Sequence, residues 1–227
     1  MVAALAVAAI SGPMRAAAAN FGPGSISADL TTFSIPRPPG FRAFATFTGP
    51  LNERINTGTP LAGGGTWMAV RGNWLITANS ARNACQSNEA RLTVDTGRVD
   101  VDVTDVLTLN PEVAGKAAGV LVRGLPDGSA LAVMYRDTGG GSLNLERLGV
   151  GGTMASIDSL GPIASATIRV IAAGDSIRVW LNGTEVISYT LSGADRTTFT
   201  SPSTTTVGLI SDHDRSTRHD DFRVEAL

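Results

Sequence analysis

The stretch that decides the fold runs from Ser176 to Leu191 and reads SIRVWLNGTEVISYTL. Two β-rich segments flank the dipeptide Asn182-Gly183, which favours the positive φ angles of a type I′ turn. The first segment alternates Ile177, Val179 and Leu181 with Ser176, Arg178 and Trp180. Because successive side chains of a strand point to opposite faces, the three aliphatic residues share one face. The sequence therefore predicts a β-hairpin with one buried face.

Comparable strand patterns recur from Phe44 to the C-terminus. The clearest lies in residues 98–107, where Val99, Val101 and Val103 alternate with Asp100, Asp102 and Thr104. Other β-rich segments are 67–70, 74–77, 91–95, 117–123, 131–135, 143–145, 168–172, 206–210 and 222–226. About a dozen short strands separated by Gly and Pro turns are typical of sandwiches and jelly rolls. We predict an all-β, antiparallel, two-sheet jelly roll over residues 44–227, with no helix longer than two turns.

Composition and charge narrow the functional classes. The 227 residues suffice for one large β domain with an extension, or for two small domains. Hydrophobic residues make up 43% of the chain, and 26 glycines and 11 prolines suit a fold with many turns. A net charge of −2 gives no electrostatic footprint for nucleic acid. The single cysteine, Cys85, excludes an intrachain disulfide, and we interpret it as a small buried or loop thiol.

The N-terminal 43 residues differ from the rest of the chain. An apolar run, Val2 to Ile10, precedes the small residues Ala16 to Ala19, as at the end of a secretory signal. Against a signal peptide, no basic residue precedes the run, and Arg15 follows it. The run is also far shorter than the ~20 residues that span a bilayer. We interpret residues 1–43 as an uncleaved arm, continued by a Pro- and Gly-rich connector and held by a partner or by the domain.

Several motifs occur together in a recognisable order. They are FTGPL (47–51), GTW (65–67), GNWLI (72–76), LTVDTG (92–97), AGVLVR (118–123), IRVWLNG (177–183), VGL (207–209) and DDFRV (220–224). This set resembles the concanavalin A-like lectin/glucanase superfamily. Within it, the chain is similar to the laminin G-like branch of bacterial extracellular proteins and bacteriophage tail or capsid proteins. The resemblance implies the jelly-roll fold but leaves function open, because this fold hosts lectins, hydrolases, adhesion modules and spacers.

The resemblance also implies where hydrolytic acids would lie. Hydrolases of this superfamily resemble one another in a strand with alternating Glu, Asp and Glu, a spacing that aims carboxylates into one cleft. Here Asp100 and Asp102 share a face, but no glutamate lies among them and Asp105 falls out of register. We therefore expect a polar, solvated face at these positions and no enzymatic activity.

A structural calcium ion is a further expectation from the resemblance, since Ca²⁺ prefers carboxylate and carbonyl oxygens. Asp212, Asp214, Asp220 and Asp221 cluster near the C-terminus, and the family pattern places an aspartate just before the terminal Phe-Arg-Val strand. His213 and His219 are interleaved with them, yet the spacing matches neither an EF-hand nor a zinc motif. A polar loop before the last strand accounts for the same residues.

A sugar site needs an aromatic ring to stack on the sugar and polar neighbours for its hydroxyls. Trp180 is the best candidate, with Arg178 beside it and Tyr189 expected on the same face across the hairpin. Alternatively, Trp180 packs under a loop or against a neighbouring subunit. Trp67 and Trp74, on short glycine-flanked strands, are assigned to the core.

Three functional hypotheses follow. The first is a non-enzymatic structural or adhesion protein of a bacteriophage particle, in the tail or decorating the capsid. Residues 1–43 would dock on other virion proteins in a multicopy or homo-oligomeric assembly, and the sandwich would contact host-surface glycans. The second is a secreted bacterial carbohydrate-binding module whose N-terminus is a signal peptide. The third, a glycoside hydrolase, is disfavoured by the missing acid pattern. No hypothesis involves nucleic acid or a membrane span.

Overall fold

The computed structural model describes residues 41–48, 51–84, 89–109, 117–137, 140–212 and 216–227. The chain divides into two units, Met1–Arg37 and Pro38–Leu227. The first unit lies outside the described residues, and with it most of the predicted arm. The first strand begins at Arg42, two residues before the predicted start of the domain.

Fifteen β-strands and one short helix form within the described ranges. The strands are β1 (Arg42–Ala45), β2 (Met68–Arg71), β3 (Trp74–Thr77), β4 (Ser80–Asn83), β5 (Ala90–Asp95), β6 (Val101–Thr108), β7 (Ala117–Gly124), β8 (Ala130–Arg136), β9 (Ser142–Leu148), β10 (Thr153–Asp158), β11 (Ser165–Ala173), β12 (Ser176–Leu181), β13 (Thr184–Thr190), β14 (Thr206–Asp212) and β15 (Arg218–Ala226). The helix α1 covers Gly193–Phe199, about two turns. In this part of the chain, no helix has the length and apolar character needed to cross a bilayer.

The strands form two antiparallel sheets. One sheet has eight strands in the order β13-β12-β11-β6-β15-β4-β3, with β1 also paired to β15. The other has seven strands in the order β10-β9-β8-β7-β14-β5-β2. The predicted fold class, an all-β antiparallel two-sheet sandwich, is confirmed.

The core lies between the two sheets and follows the alternation of the strands. On β6, Val101, Val103 and Leu107 are fully buried while Asp102 and Thr104 are only half-buried. Strand β7 is buried along its whole length, as its continuously apolar sequence predicts. Its second face belongs to a separate apolar cluster on the outer side of the seven-stranded sheet, formed by Ala117, Leu121, Ala130, Ala132, Met134, Leu148 and Ile210.

Trp67 and Trp74 belong to the core, as predicted, with exposed fractions of 2% and 0%. The ring of Trp67 lies 5.9 Å from that of Phe47 and 5.2 Å from that of Phe222. The ring of Trp74 packs at an angle against His219, with 5.5 Å between ring centroids. Through these contacts, Trp67, just before β2, and Trp74, the first residue of β3, pack against the C-terminal strand β15.

The predicted hairpin forms with its predicted turn. Asn182 and Gly183 have φ angles of 51° and 82°, and both central residues of a type I′ turn need positive φ. Ile177, Val179 and Leu181 face the core.

The prediction that Tyr189 shares a face of the hairpin with Trp180 is wrong. A β-bulge follows the turn, because Trp180 pairs with Glu185 while Val179 pairs with Ile187. The extra residue, Val186, reverses the faces of the strand beyond it. Tyr189 therefore pairs with the buried Ile177 and packs against the core, on the face opposite Trp180.

Candidate functional site

The outer face of the eight-stranded sheet holds the predicted aromatic site. Trp180 is half-buried there, directly opposite Arg169 on β11 and two residues after Arg178 on its own strand. The guanidinium carbons of Arg169 and Arg178 lie 5.3 Å and 4.8 Å from the centre of the indole ring. These are cation–π distances. The structure thus brings Trp180 and Arg178 together and adds Arg169, which the sequence analysis did not select.

Both arginines of this Trp180 cluster are already paired with carboxylates. Asp102 accepts hydrogen bonds from Nε and Nη2 of Arg169, at 2.9 Å and 2.6 Å. Glu185 accepts two bonds from Arg178, and these bonds lower the pKa of the glutamate. A sugar that stacked on Trp180 would compete with both guanidinium groups for the ring. The cluster is therefore a polar surface rather than an open aromatic platform.

A groove of about 550 Å³ lies on the outer face of the seven-stranded sheet. Its floor includes Leu121 of β7 and Ala130 of β8, which belong to the outer apolar cluster. Met68 and Val70 of the edge strand β2 form one rim and are 42% and 49% exposed. Leu125, Pro126, Gly128 and Ser129, in the turn between β7 and β8, also line the groove. This volume lies within the range of small-molecule sites.

Polar groups are placed at the edge of this groove. Thr93 and Asp95 follow one another on the outer face of β5, and Thr206 begins β14 opposite Asp95. The hydroxyl of Thr93 donates to the carbonyl of Met68, at 3.3 Å. The carboxylate of Asp95 accepts the backbone N–H of Gly97, at 2.8 Å.

Arg91 links two sides of the groove. Its Nη1 donates to the carbonyl of Gly128 in the β7–β8 turn, and its Nε donates to Glu89 at 2.5 Å. The side chain of Arg91 is 12% exposed, so little of it is in contact with solvent. The bond to Gly128 holds the turn in place beside β5.

The same outer face carries a second polar group. Arg136 donates two hydrogen bonds to Glu146, at 2.7 Å and 2.8 Å, and Asn144 donates a third at 3.0 Å. Burial raises the pKa of Glu146, but these hydrogen bonds outweigh it and the net pKa is lowered. Glu146 pairs with Ala132, which pairs with Leu121 of the groove floor. The carboxylate therefore accepts three hydrogen bonds on β9, the strand next to β8 of the groove floor.

The three aspartates compared with the hydrolase pattern do not converge on one cleft. Asp100 accepts a bond from the buried Arg123, at 3.0 Å, and Asp102 holds Arg169 on the outer face. Asp105 points the other way, into the core, as its out-of-register position predicts. Each carboxylate has a different cationic or imidazole partner.

Asp105 forms a fully buried pair with His219. Its Oδ2 lies 2.7 Å from Nδ1 of His219, and neither side chain has exposed surface. Burial raises the pKa of the Asp105 carboxyl, and the attraction of His219 offsets only part of that increase. Oδ1 of Asp105 and Nε2 of His219 have no hydrogen-bond partner among the described residues. A polar loop before the last strand was one of two interpretations of the segment that contains His219, whereas this residue lies on β15 in the core.

The residues predicted to bind calcium are divided between the sheets. Asp212 ends β14 of the seven-stranded sheet, whereas Asp220 and Asp221 lie on β15 of the other. Asp214 lies outside the described residues, as does His213. The backbone N–H of Asp221 donates to the Asp220 carboxylate at 2.8 Å, and burial raises the pKa of Asp220. Across the described ranges, no three His, Cys, Asp or Glu side chains are grouped as metal ligands.

Comparison with solved structures identifies the fold. The chain is similar to the carbohydrate-binding module CBM66 from Bacillus subtilis, with 14% identity, a TM-score of 0.56, and coverage of 70% of this chain and 95% of that one. It is also similar to the GH43 protein BlXynB from Bacillus licheniformis, with 14% identity, a TM-score of 0.58, and coverage of 82% and 39%. A laminarinase from Flavobacterium sp. UMI-01 matches with 10% identity, a TM-score of 0.53, and coverage of 80% and 98%.

These similarities establish a concanavalin A-like sandwich, as the sequence motifs predicted. The structures that share it include glycosidases and a non-catalytic carbohydrate-binding module. The chain spans about two fifths of the length of the GH43 protein it matches. No protein-family model matches the chain, and no curated protein matches it significantly.

Proposed function

We propose that the sandwich is a non-catalytic glycan-binding module and that the groove on the seven-stranded sheet is its binding site. The observation that carries the proposal is the groove of about 550 Å³, with an apolar floor and polar atoms at its edge. Ligand sites combine apolar lining with a few oriented polar groups in this way. A sugar ring has the matching chemistry, with C–H faces for Leu121 and Ala130 and hydroxyls for Thr93, Asp95 and Thr206.

The carboxylates of the groove support binding rather than hydrolysis. A glycosidase normally needs two carboxyl groups about 5 to 10 Å apart on either side of the scissile bond. Among the described residues that line the groove, Asp95 is the one acid. The nearby Glu89 engages Arg91, and Glu146 is held by Arg136 and Asn144.

The structural similarities favour the second sequence hypothesis, a carbohydrate-binding module, over the phage-particle protein. The match to the Bacillus subtilis module covers 95% of that module, so its whole fold has a counterpart here. The virion role depended on residues 1–43, of which 1–40 lie outside the described residues. A glycan-binding module acts where polysaccharides are displayed, so we propose an extracellular or surface-associated location.

A glycan array with the full-length protein tests this function. A Val70→Trp substitution would fill the groove from its rim, and strands accept aromatic residues well. Val150→Trp is the matched control, since Val150 is 73% exposed and does not line the groove. We expect wild type and Val150→Trp to bind the same glycans and Val70→Trp to lose at least ten-fold in affinity. Binding by none of the proteins, or equal binding by all three, contradicts the proposal.

The Trp180 cluster is the second candidate for the same function. It is favoured by the indole and by two arginine–carboxylate pairs with exposed edges. A Trp180→Ala protein belongs in the same array. If this substitution abolishes binding while Val70→Trp does not, the sugar site lies at the Trp180 cluster, with Arg178 as a hydrogen-bond donor.

We also propose calcium binding at Asp220 and Asp221, on the strength of the sequence resemblance. The two carboxylates are adjacent on β15, where a β-bulge interrupts the pairing with β6. Ca²⁺ that binds the folded state and not the unfolded state stabilises the fold, so the melting temperature rises with the Ca²⁺ concentration. We expect a higher melting temperature in excess Ca²⁺ than in EDTA, and loss of the difference in Asp221→Asn. Equal melting temperatures in the two buffers contradict the proposal.

A further inference from the structure

The charges that face the groove indicate which glycans it accepts; this step rests on the proposed function. Two charged residues of the described chain line the groove, Arg91 and Asp95. They differ in how far their charges are neutralised by protein groups. The charge that is less completely paired by the protein is the one that acts on a ligand in the groove.

The positive charge of Arg91 is paired within the protein. Glu89 accepts its Nε–H at 2.5 Å, and the carbonyl of Gly128 accepts a bond from its Nη1. The same Glu89 carboxylate lies 3.6 Å from Nη1 of the exposed Arg71, which does not line the groove. The side chain is 12% exposed, so a ligand in the groove meets only the edge of an ion pair. An anionic sugar would compete with Glu89 for this guanidinium.

The negative charge of Asp95 has no cationic partner in the described structure. Its carboxylate accepts one backbone N–H, that of Gly97, and takes part in no ion pair among those formed by the described residues. Asp95 is exposed at the end of β5 and borders the groove. A negative charge with no ion-pair partner among the described residues therefore borders this edge of the groove.

We infer that the groove takes uncharged glycans and discriminates against anionic ones, such as uronic acid, sialic acid or sulfated sugars. A carboxylate accepts hydrogen bonds from neutral hydroxyls with a charge-assisted contribution, whereas it repels a second anion. Because Asp95 is exposed, this repulsion is modest and is screened by salt.

Pairs of glycans that share a backbone provide the test. The probes are dextran and carboxymethyl-dextran, plus any neutral array ligand and its sulfated form, each measured with full-length protein at low and at high ionic strength. We expect the neutral member of a pair to bind more tightly, and the preference to shrink as salt is added. In Asp95→Asn, which keeps the acceptor for Gly97, anionic binding should rise by up to about five-fold, the range of exposed charge pairs.

Asp127→Asn is the matched control. Asp127 is also exposed, and its carboxylate accepts the N–H of Ser129 two residues ahead, at 2.8 Å, just as Asp95 accepts that of Gly97. Asp127 does not itself line the groove, although its neighbours Pro126 and Gly128 do, so its substitution should change the preference less than that of Asp95.

The outcomes separate this inference from the function on which it rests. Tighter binding of the anionic member, abolished by Val70→Trp, overturns the charge inference and leaves glycan binding in the groove intact. Equal effects of Asp95→Asn and Asp127→Asn also overturn it. If no glycan binds to wild type, the proposed function and the charge inference fall together.

Discussion

At the scale of single residues, the buried Asp105 and its partner His219 bear on how the free energy of unfolding depends on pH. Asp105 occupies a core position on β6, between buried Val103 and Leu107. Its carboxyl hydrogen-bonds His219 on the neighbouring strand, while Asp220 and Asp221 add negative charge nearby. Burying an ionised carboxylate is costly, and here one imidazole and no other described group bonds it.

We predict that Asp105→Asn becomes more stabilising as pH rises. The folded-state pKa of Asp105 lies above its usual value of 3.8, mainly because of burial. Folding therefore favours the protonated carboxyl, and that contribution is present below pH 3.8 and lost as pH rises through the folded-state pKa. Asparagine keeps the acceptor for His219 and does not ionise.

Urea unfolding of both proteins between pH 3.5 and 7 measures this effect. The free energy of unfolding of Asp105→Asn minus that of wild type should increase across this range. Asp158→Asn removes an exposed aspartate from edge strand β10 and is the control for the loss of a carboxylate outside the core. A constant or falling difference for Asp105→Asn contradicts the account.

At the scale of elements, the β12–β13 hairpin combines a turn that is local in sequence with a bulge that is not. The turn was predictable because Asn182 and Gly183 adopt positive φ more readily than other residues. The bulge at Val186 depends on how β13 packs against the core, and no dipeptide marks it. One extra residue was enough to move Tyr189 to the other face.

We predict that Gly183→Ala destabilises the protein by about 1 kcal/mol, because a Cβ at φ +82° is strained. Nothing lies within 4 Å of that Cβ, so strain is the whole effect. Gly140→Ala is the control, since its Cβ also meets nothing within 4 Å and its φ is not positive. The check is the denaturant midpoint, and equal midpoints for the two variants contradict the explanation.

Short polar or edge strands were the elements that the sequence did not reveal. Strand β4 reads SARN and β10 reads TMASID, and neither alternates clearly between apolar and polar residues. Both segments form strands by pairing with a neighbour: β4 pairs with β3, and β10 pairs with β9. The strongly alternating β6 and the hairpin needed no such context.

At the scale of the whole molecule, Arg123 connects the two sheets through its hydrogen bonds. Arg123 is the second-last residue of β7 in the seven-stranded sheet, and its side chain is fully buried. Its partners Asp100 and Gly174 flank strands of the other sheet. Its Nη2 donates to Asp100 at 3.0 Å and to the carbonyl of Gly174 at 2.9 Å. Burial lowers the pKa of Arg123, although Asp100 opposes the shift.

We predict that Asp100→Asn costs more stability than Arg123→Met. Removing the charge of Asp100 leaves a buried cation without its main counter-charge, at a cost of about 2 to 3 kcal/mol after a discount for solvent screening of Asp100, which is 46% exposed. Arg123→Met removes the cation itself and leaves one carbonyl unsatisfied, at about 1 to 2 kcal/mol. Chemical denaturation of both variants measures the difference. A larger cost for Arg123→Met contradicts the assignment of Arg123 as the desolvated partner.

The groove is a property of the whole molecule and was beyond sequence analysis. Its lining comes from Thr57, residues 68–70, parts of the segments 91–95 and 121–130, and Thr206, which become neighbours only when the strands of the seven-stranded sheet have paired. The sequence directed attention to Trp180, the conspicuous outward-facing aromatic, whose ring is in fact engaged by two arginines. Alternation predicts which face a residue occupies but not where a cavity opens on that face.

The most direct test of the central claim is an NMR titration of the full-length protein with the tightest glycan from the array. The account predicts that the shifted backbone amides belong to Met68, Val70, Thr93, Asp95 and Ser129, around the groove. It also predicts that the amides of Arg169, Arg178 and Trp180 stay unchanged. Shifts confined to the Trp180 cluster, or no shifts at saturating glycan, would contradict binding in the groove.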